Sequence, residues 1–400
     1  MNLSISPDET DLKVLLLLYR LDKGGTEHVM SELSNNLPDF FDTELVLING
    51  DLRCYSLKYK PLELGFECKS FKLKQIYAIL TLIPVIIKYT KILAKEHPNV
   101  SVSMLDYDNL VNVLACKLTN TTAITGVRQS LVTQDIPFFA RKLRWLTSVL
   151  SKKYAQKVIT NSYGSKNELI TLYGADSEKI DVIYNPKNID EILALSEEPV
   201  DEEIFSQDIP IIITVGRLFE VKGQWHLLRI FANIRKQMPC KLVICGDGPL
   251  NEYLNNLANE LGISDDVTFL GFCRNPYKYV AKSTVFAFTS LYEGQPNALI
   301  EAMICGCPVV STDCEHGPRE ILEDGKYGLL SEKLDSKHYS AEDPLTHAET
   351  DMLNKLVLLL NDSELRTKYS NLEKSRINIF DSNQIIKEYA ESIVSSLDHN

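Results

Sequence analysis

The chain has 400 residues, 44% hydrophobic and 24% charged, with nine cysteines and a formal net charge of −12. That length exceeds what one ordinary core serves and suits two domains of roughly 190 residues each. The acidic balance and the lack of a recognised binding module argue against a nucleic-acid partner, and an odd number of irregularly spaced cysteines fits a reducing cytoplasm.

The run VLLLLY, Val14 to Tyr19, follows an acidic start, Asp8 to Asp11, where a secretory signal would carry positive charge. At six residues it reads as a buried parallel strand. The longest apolar run, Ile76 to Ile87, is twelve residues with Pro84 inside, short of the about twenty a spanning helix needs, so no membrane span is expected. Strand-like runs continue with TELVLI, VSVSML, TAITGV, QKVITN and KIDVIY, then IIITVG, KLVICG, DVTFLG, TVFAFT, CPVVST and YGLL, with helical stretches between them. This alternation predicts an α/β fold of two Rossmann-like, doubly wound domains with parallel sheets.

The domain boundary is expected near YNPKNIDE, residues 184–191, where Asn185 and Pro186 end a strand and a polar, acidic stretch to Asp208 follows. The division is therefore an N-terminal domain, 1–187, a C-terminal domain, 188–380, and a last helix within 381–400 that could pack back across the hinge. Ligands of such folds sit at the carboxyl ends of the strands, so two facing sheets predict a site in the cleft between them.

Charge is unevenly spread: residues 1–190 carry net +2 and the remainder net −14. Two windows of the first half, Cys68 to Lys95 and Ile136 to Asn167, contain no acid. The first carries Lys69, Lys72, Lys74, Lys88, Lys91 and Lys95; the second mixes Arg141, Lys142, Arg144, Lys152, Lys153, Lys157 and Lys166 with Phe138, Phe139 and Trp145. Two readings stand: helices that rest on anionic lipid, or ordinary amphipathic helices with solvated lysines.

The most informative segment is YEGQPNALIEAM, residues 292–303. Gly294 and Pro296 break regular structure, Asn297 can serve as N-cap, and ALIEAM is helix-forming, so Glu293 projects from a loop while Glu301 lies about one turn into a helix. The helix start offers N–H groups to a phosphate. Upstream, IIITVG runs into RLFEVKGQWHLL, which places Arg217 and Lys222 just after a strand end. Two fixed cations there suit a diphosphate, because negative charge builds on the β-phosphate as a sugar leaves a nucleotide.

GRLFEVKG, followed by EGQPNALIEAMICGCPVVSTDCEHGPREI, resembles the donor domain of the family-4 retaining glycosyltransferases of GT-B fold, over most of residues 210–330. DKGGTEHV, residues 22–29, resembles the family's glycine-rich loop after the first strand, and KVITNSYGSKNEL the segment before the interdomain crossover. The resemblance implies that Arg217 and Lys222 hold the diphosphate, that Glu301 accepts hydrogen bonds from both ribose hydroxyls, and that Glu293 contacts the donor sugar. Backbone N–H groups of Asn297, Ala298 and Leu299 would meet phosphate and sugar. Gly24 and Gly25 belong to the glycine-rich loop, where Gly25 lets the backbone approach the diphosphate and acceptor. The base would lie near FLGFCRNP, against the backbone around Phe272 and Cys273.

Many relatives carry a histidine after the strand corresponding to VSVSML, where this chain has LDYDN. Either Asp106 or Asn109 faces the reacting centre, or this is an Asp-rich loop capping the next helix. Arg128, in TGVRQS, is a candidate for an acceptor phosphate or a member of a structural salt bridge.

Three motifs point elsewhere. DYD at 106–108 is a D-x-D, which holds a divalent metal in another transferase fold, but Arg217 and Lys222 already supply that charge. Cys305, Cys307 and Cys314 with His316 resemble a zinc set, yet C-x-C is tighter than the usual spacing. GDGPLN, from Gly246, lacks the third glycine of a dinucleotide fingerprint and is expected as a turn.

The reading that follows is a cytoplasmic, metal-independent glycosyltransferase without a cofactor. It takes a nucleotide sugar, a UDP-hexose or UDP-N-acetylhexosamine, and acts on a glycan or lipid-linked acceptor of bacterial surface polysaccharide or glycolipid, with peripheral contact to an anionic membrane face. Rivals are a nucleotide-sugar epimerase of the same fold, a glycosidase and a catalytically inactive nucleotide-sugar-binding regulator.

Overall fold

Strand β1 (Leu12–Leu18) is wholly buried from Val14 to Leu18, so neither of its faces is left to solvent and both need a covering layer. The computed structural model describes residues 12–22, 24–50, 55–66, 74–128 and 138–398, with side chains omitted at 74–76, 78 and 138–140. The acidic start at Asp8 to Asp11 and the basic residues Lys69 and Lys72 lie outside the described residues, as do the side chains of Lys74, Phe138 and Phe139. The chain forms two compact units, one of residues 1–186 with 382–400 and one of residues 187–381.

In the first unit, β2 (Phe41–Leu47), β3 (Leu62–Glu63), β4 (Val100–Ser103), β5 (Thr122–Val127), β6 (Lys157–Thr160) and β7 (Ile180–Val182) join β1 in a seven-stranded sheet of order β3-β2-β1-β4-β5-β6-β7. Neighbours run parallel throughout. The two-residue β3 was not among the expected strands. Alternate residues of β1 serve the two covering layers. Val14, Leu16 and Leu18 share a core with Val29, Met30 and Leu33 of α1 (Gly25–Asn36). Leu15 and Leu17 pack with Val85, Tyr89 and Leu93 of α2 (Lys74–Glu96) and Val111 and Ala115 of α3 (Asp106–Thr119). Helices α4 (Phe138–Tyr154) and α5 (Tyr163–Tyr173) continue the series to β7. The α1 layer is completed from far along the chain, by Ile385, Ile386, Tyr389, Ala390 and Ile393 of the last helix, Ser382–Ser395.

The alternating serines of VSVSML are accounted for by a buried polar ladder. Ser101 Oγ donates to Asn112 Oδ1 at 2.6 Å and Ser103 Oγ to Asn109 Oδ1 at 2.7 Å, while Asn112 Nδ2 reaches the Ile124 carbonyl and Asn109 Nδ2 the Gly126 carbonyl. These bonds tie α3 to β4 and β5 with each amide satisfied, which low-dielectric surroundings require.

The second unit holds β8 (Ile211–Val215), β9 (Lys241–Cys245), β10 (Val267–Gly271), β11 (Val285–Phe288), β12 (Val309–Thr312) and β13 (Leu329–Ser331), a parallel six-stranded sheet of order β10-β9-β8-β11-β12-β13. Its helices are α6 (Ile189–Ser196), α7 (Gln224–Arg235), α8 (Asn251–Glu260), α9 (Tyr277–Ala281), α10 (Asn297–Ile304), α11 (Pro318–Ile321), α12 (His347–Asn361) and α13 (Ser363–Arg376); the last helix of the chain, described above, is α14. Helix α6 lies within the stretch expected to be a polar connection; Asn188 caps it by accepting from Glu191 N–H at 3.1 Å. The unit's two chain ends meet, Lys187 N–H donating to the Phe380 carbonyl at 2.8 Å. No helix among the described residues is long and apolar enough to cross a membrane.

Candidate functional site

Strand order reverses direction between β8 and β11, and a parallel sheet opens a crevice at such a point. The loop after β8 carries Arg217 and Lys222, and the loop after β11 carries Glu293. The first loop is clamped in place: Gln224 Nε2 donates to the Arg217 carbonyl at 3.1 Å, and Thr289 Oγ1 to the Lys222 carbonyl at 2.9 Å. Gly223, with φ +59°, makes that clamp possible, since a Cβ there would meet the Thr289 carbonyl at 2.5 Å.

The clamp brings Lys222 Nζ to 2.6 Å from Glu293 Oε1. Arg217 is exposed, its guanidinium 5.0 Å from the centre of the Phe219 ring, and among the described residues no carboxylate pairs with it. The loop of Glu293 is braced by the CEHGPREI segment through a parallel bridge between Tyr292 and Glu315. The sequence motif therefore supports the Glu293 loop through backbone.

Glu301 stands in α10, and Lys187 Nζ lies 2.5 Å from its Oε1. Lys187 is only 5% exposed, so this ion pair fixes the carboxylate's orientation from beneath. A carboxylate has about four lone-pair positions, which leaves Glu301 able to accept from two further donors. Sequence reasoning missed Lys187, because 114 positions separate it from Glu301 and no local spacing links them.

Helix α10 starts one residue earlier than expected: Pro296, not Asn297, is the N-cap, and no side chain caps it. The N–H of Leu299 bonds to the Pro296 carbonyl at 3.2 Å, closing the first turn of the helix. Asn297 and Ala298 head the helix, where the dipole favours an anion. Phe272 is exposed just after β10, and the Cys273 thiol points back to the Gly271 carbonyl at 3.6 Å. GDGPLN is a loop before α8. At Gly246 a Cβ would stand 1.8 Å from the Gly216 carbonyl oxygen, so this glycine serves the contact between the loops after β8 and β9.

In the first unit Asp106 follows the carboxyl end of β4, with one oxygen 3.1 Å from Arg144 Nε. Leu105, not an acid, is the N-cap of α3. Asp108 is buried and accepts from the Tyr19 N–H at 3.0 Å, so the two acids of the D-x-D serve different partners. Asn109 is buried with both ends of its amide engaged in the ladder, which removes it as a group facing a reacting centre.

Arg128 has no ion pair among the described residues. It reaches the Ile183 carbonyl and Asn185 Oδ1 at 3.4 Å, and burial without a counter-charge pulls its pKa down to about 9. The structural salt bridge considered for it is absent there. Gly24 and Gly25 begin α1, and the Glu27 carboxylate lies over Gly24, 2.1 Å from where a Cβ would stand. Cys307 and Cys314 are buried and their thiols pushed well up by desolvation, as is Cys305 to about 12, the mark of inert cysteines. Among the described residues no three His, Cys, Asp or Glu side chains are grouped to hold a metal ion.

Two parallel sheets flanked by helices, with Arg217, Lys222 and Glu293 on the loops beside a switch point, give the protein a doubly wound two-domain architecture. Residues 197–342 match the family model of the glycosyl transferases group 1. An uncharacterized glycosyltransferase of Methanocaldococcus jannaschii is 34% identical, over 79% of this chain and 82% of its own length. N-acetylgalactosamine-N,N'-diacetylbacillosaminyl-diphospho-undecaprenol 4-alpha-N-acetylgalactosaminyltransferase of Campylobacter jejuni is 31% identical, over 94% of this chain and 98% of its own. Among solved structures, HepE of Anabaena in complex with UDP superimposes with a TM-score of 0.73 at 20% identity, covering 96% of this chain and all of that one. The chain belongs to the group 1 glycosyltransferases and has their GT-B architecture of two Rossmann-like domains.

Proposed function

We propose that this glycosyltransferase moves a hexose or N-acetylhexosamine from a UDP-sugar to a hydroxyl of a glycan or lipid-linked acceptor, with retention of configuration, in the synthesis of bacterial surface polysaccharide or glycolipid. The observation that carries the donor reading is the grouping at the β8/β11 switch point: the exposed Arg217, the Lys222–Glu293 pair and the Lys187-anchored Glu301. Support for the acceptor class comes from the diphospho-undecaprenol acceptor named for the Campylobacter relative, and support for UDP from the HepE complex.

Transfer follows same-face attack. The bond between the anomeric carbon and the β-phosphate oxygen breaks, the acceptor oxygen bonds to that carbon from the same face, and its proton passes to the departing phosphate oxygen. Arg217 and Lys222 stabilise the negative charge on that phosphate, so neither an enzymatic nucleophile nor a metal is required. Glu301 holds the ribose diol, Glu293 the sugar hydroxyls, the N–H groups of Asn297 and Ala298 the phosphate, and the backbone at Phe272 and Cys273 the base. Gly24 and Gly25 give the first-domain backbone access to the diphosphate. Asp106 faces the acceptor hydroxyl. Arg128, desolvated and with no ion pair among the described residues, takes an acceptor phosphate. The lipid-linked acceptor is met at the inner face of the cytoplasmic membrane.

Calorimetry tests the ribose assignment. Glu301→Ala is expected to weaken UDP-sugar binding by about 1.5–3 kcal/mol, from loss of hydrogen bonds to a charged group. Lys187→Met, which frees the carboxylate without removing it, should cost less. Unchanged binding in Glu301→Ala would refute the role.

A further inference from the structure

We infer that the outer surface of the α2–α3–α4 helix layer is a docking face for an anionic lipid bilayer. The inference rests on the lipid-linked acceptor proposed above and names the surface that would bring the enzyme to it. The connections from β3 through α2 to β4, on through α3 to β5 and α4 to β6 all advance in one direction across the sheet. Right-handed crossovers then set the three helices on one face, and α3 packs against both α2 and α4.

The inner side of α2 is ordinary core: Val85, Tyr89 and Leu93 are buried. Its outer side is not what a solvated helix shows. Ile79, Leu80, Ile83 and Ile87, which share one stripe at helical spacing, are 46%, 72%, 68% and 52% exposed. Leu118 at the end of α3 is 70% exposed, and Trp145 of α4 is 57% exposed. Single exposed apolar residues need no explanation, whereas a run of large aliphatics on one face marks an interaction surface.

Charge identifies the occupant. The three helices contain just three acids: Glu96, Asp106 and Asp108. Glu96 is bound to Lys13 and Lys95, Asp106 to Arg144, and Asp108 is buried. The same layer exposes Lys91, Lys95, Lys117 and Lys153, in a chain of net charge −12. Aliphatic residues that enter an acyl boundary, an indole at interfacial depth and exposed lysines on helices whose three acids are paired or buried match an anionic membrane surface.

Vesicle co-sedimentation of the full chain tests this without donor or acceptor. Vesicles of phosphatidylcholine mixed with phosphatidylglycerol should be bound about tenfold or more tightly than phosphatidylcholine alone, with the preference shrinking as salt rises. The double variant Leu80→Glu/Ile83→Glu should lose about tenfold or more of that binding, and Lys91→Glu/Lys117→Glu should lose the anionic preference. UDP binding, measured on the same preparations, should stay at the wild-type value and certifies that the variants are folded. Equal binding to both vesicle types, or wild-type binding by Leu80→Glu/Ile83→Glu, overturns the docking face and leaves the UDP-sugar reading standing. A concentration-dependent dimer that Leu80→Glu/Ile83→Glu dissolves overturns it in favour of a second copy of the chain. No UDP binding by the wild type would instead defeat the UDP-sugar reading.

Discussion

Lys222→Ala is expected to lower kcat by about 10²–10³, because in the proposed mechanism it removes a charge that stabilises the departing diphosphate, in a site where such donors act at low dielectric. The variant also strands Glu293, whose Oε1 the lysine approaches at 2.6 Å. An unpaired carboxylate beside the diphosphate repels it, so donor affinity should fall as well. The two effects separate in Lys222→Ala/Glu293→Gln, which relieves the repulsion: donor binding recovers in part, while kcat stays low. A single variant with near-normal kcat would show that Lys222 serves only to position the Glu293 loop. Steady-state kinetics with a donor titration distinguishes these outcomes.

The largest effect on stability is expected at a distance from the chemistry. Arg229, 1% exposed on α7, pairs with Glu349 at 2.9 Å, and His226 Nδ1 reaches the same carboxylate at 2.8 Å. Arg229 also donates to the carbonyls of Ser340, Asp343 and Pro344, His226 Nε2 is 2.9 Å from the Asp335 carbonyl, and Trp225 Nε1 donates to the Lys337 carbonyl. The irregular stretch between β13 and α12 is thus tied to the core through α7. Arg229→Met should destabilise the protein by about 3–5 kcal/mol, the cost of leaving one member of a buried ion pair uncompensated. Denaturant unfolding measures it, and a loss under about 1 kcal/mol would mean that the carboxylate finds other partners.

The same cluster sets an acid limit. Desolvation pushes the Glu349 carboxyl up, but hydrogen bonds from His226, Arg229 and the Thr346 N–H outweigh it and hold the group at about 2, below its usual 4.5. A depressed carboxylate contributes stability that is complete above the unfolded value and is lost as pH falls from 4.5 toward 2. Removing Arg229 raises the folded value, so the variant should show a flatter acid limb over that window.

The strands were legible because each buried parallel strand is a continuous apolar run between turn residues. Every one of the twelve runs read from sequence overlaps a strand, and β3, at two residues on the sheet edge, is too short to leave a pattern. Helix α6 was missed because its exposed acids, Asp190 and Glu191, made IDEILALS read as part of a polar connection. The residues assigned to the proposed donor site were picked out by type and spacing. Their pairing was not: Lys187 to Glu301 and Lys222 to Glu293 are contacts made by tertiary folding across 114 and 71 positions. Asn109 misled because a polar residue after a strand end reads as available, whereas Ser103 and the Gly126 carbonyl consume it. The exposed stripe of α2 was hidden for the converse reason: Ile83 and Val85 look alike in sequence, and only packing distinguishes the outward residue from the inward one.

The central claim is transfer from a UDP-sugar to an acceptor. Incubating the protein with sugar-labelled UDP- and GDP-sugars, with and without a membrane lipid extract and in the presence of EDTA, tests it most directly. The account predicts label in the lipid fraction from a UDP-sugar, dependent on the extract and undiminished by EDTA. Isomerised free donor in the absence of extract, with no labelled lipid in its presence, would contradict it, and activity lost in EDTA and restored by Mn²⁺ would contradict its metal-free charge stabilisation by Arg217 and Lys222.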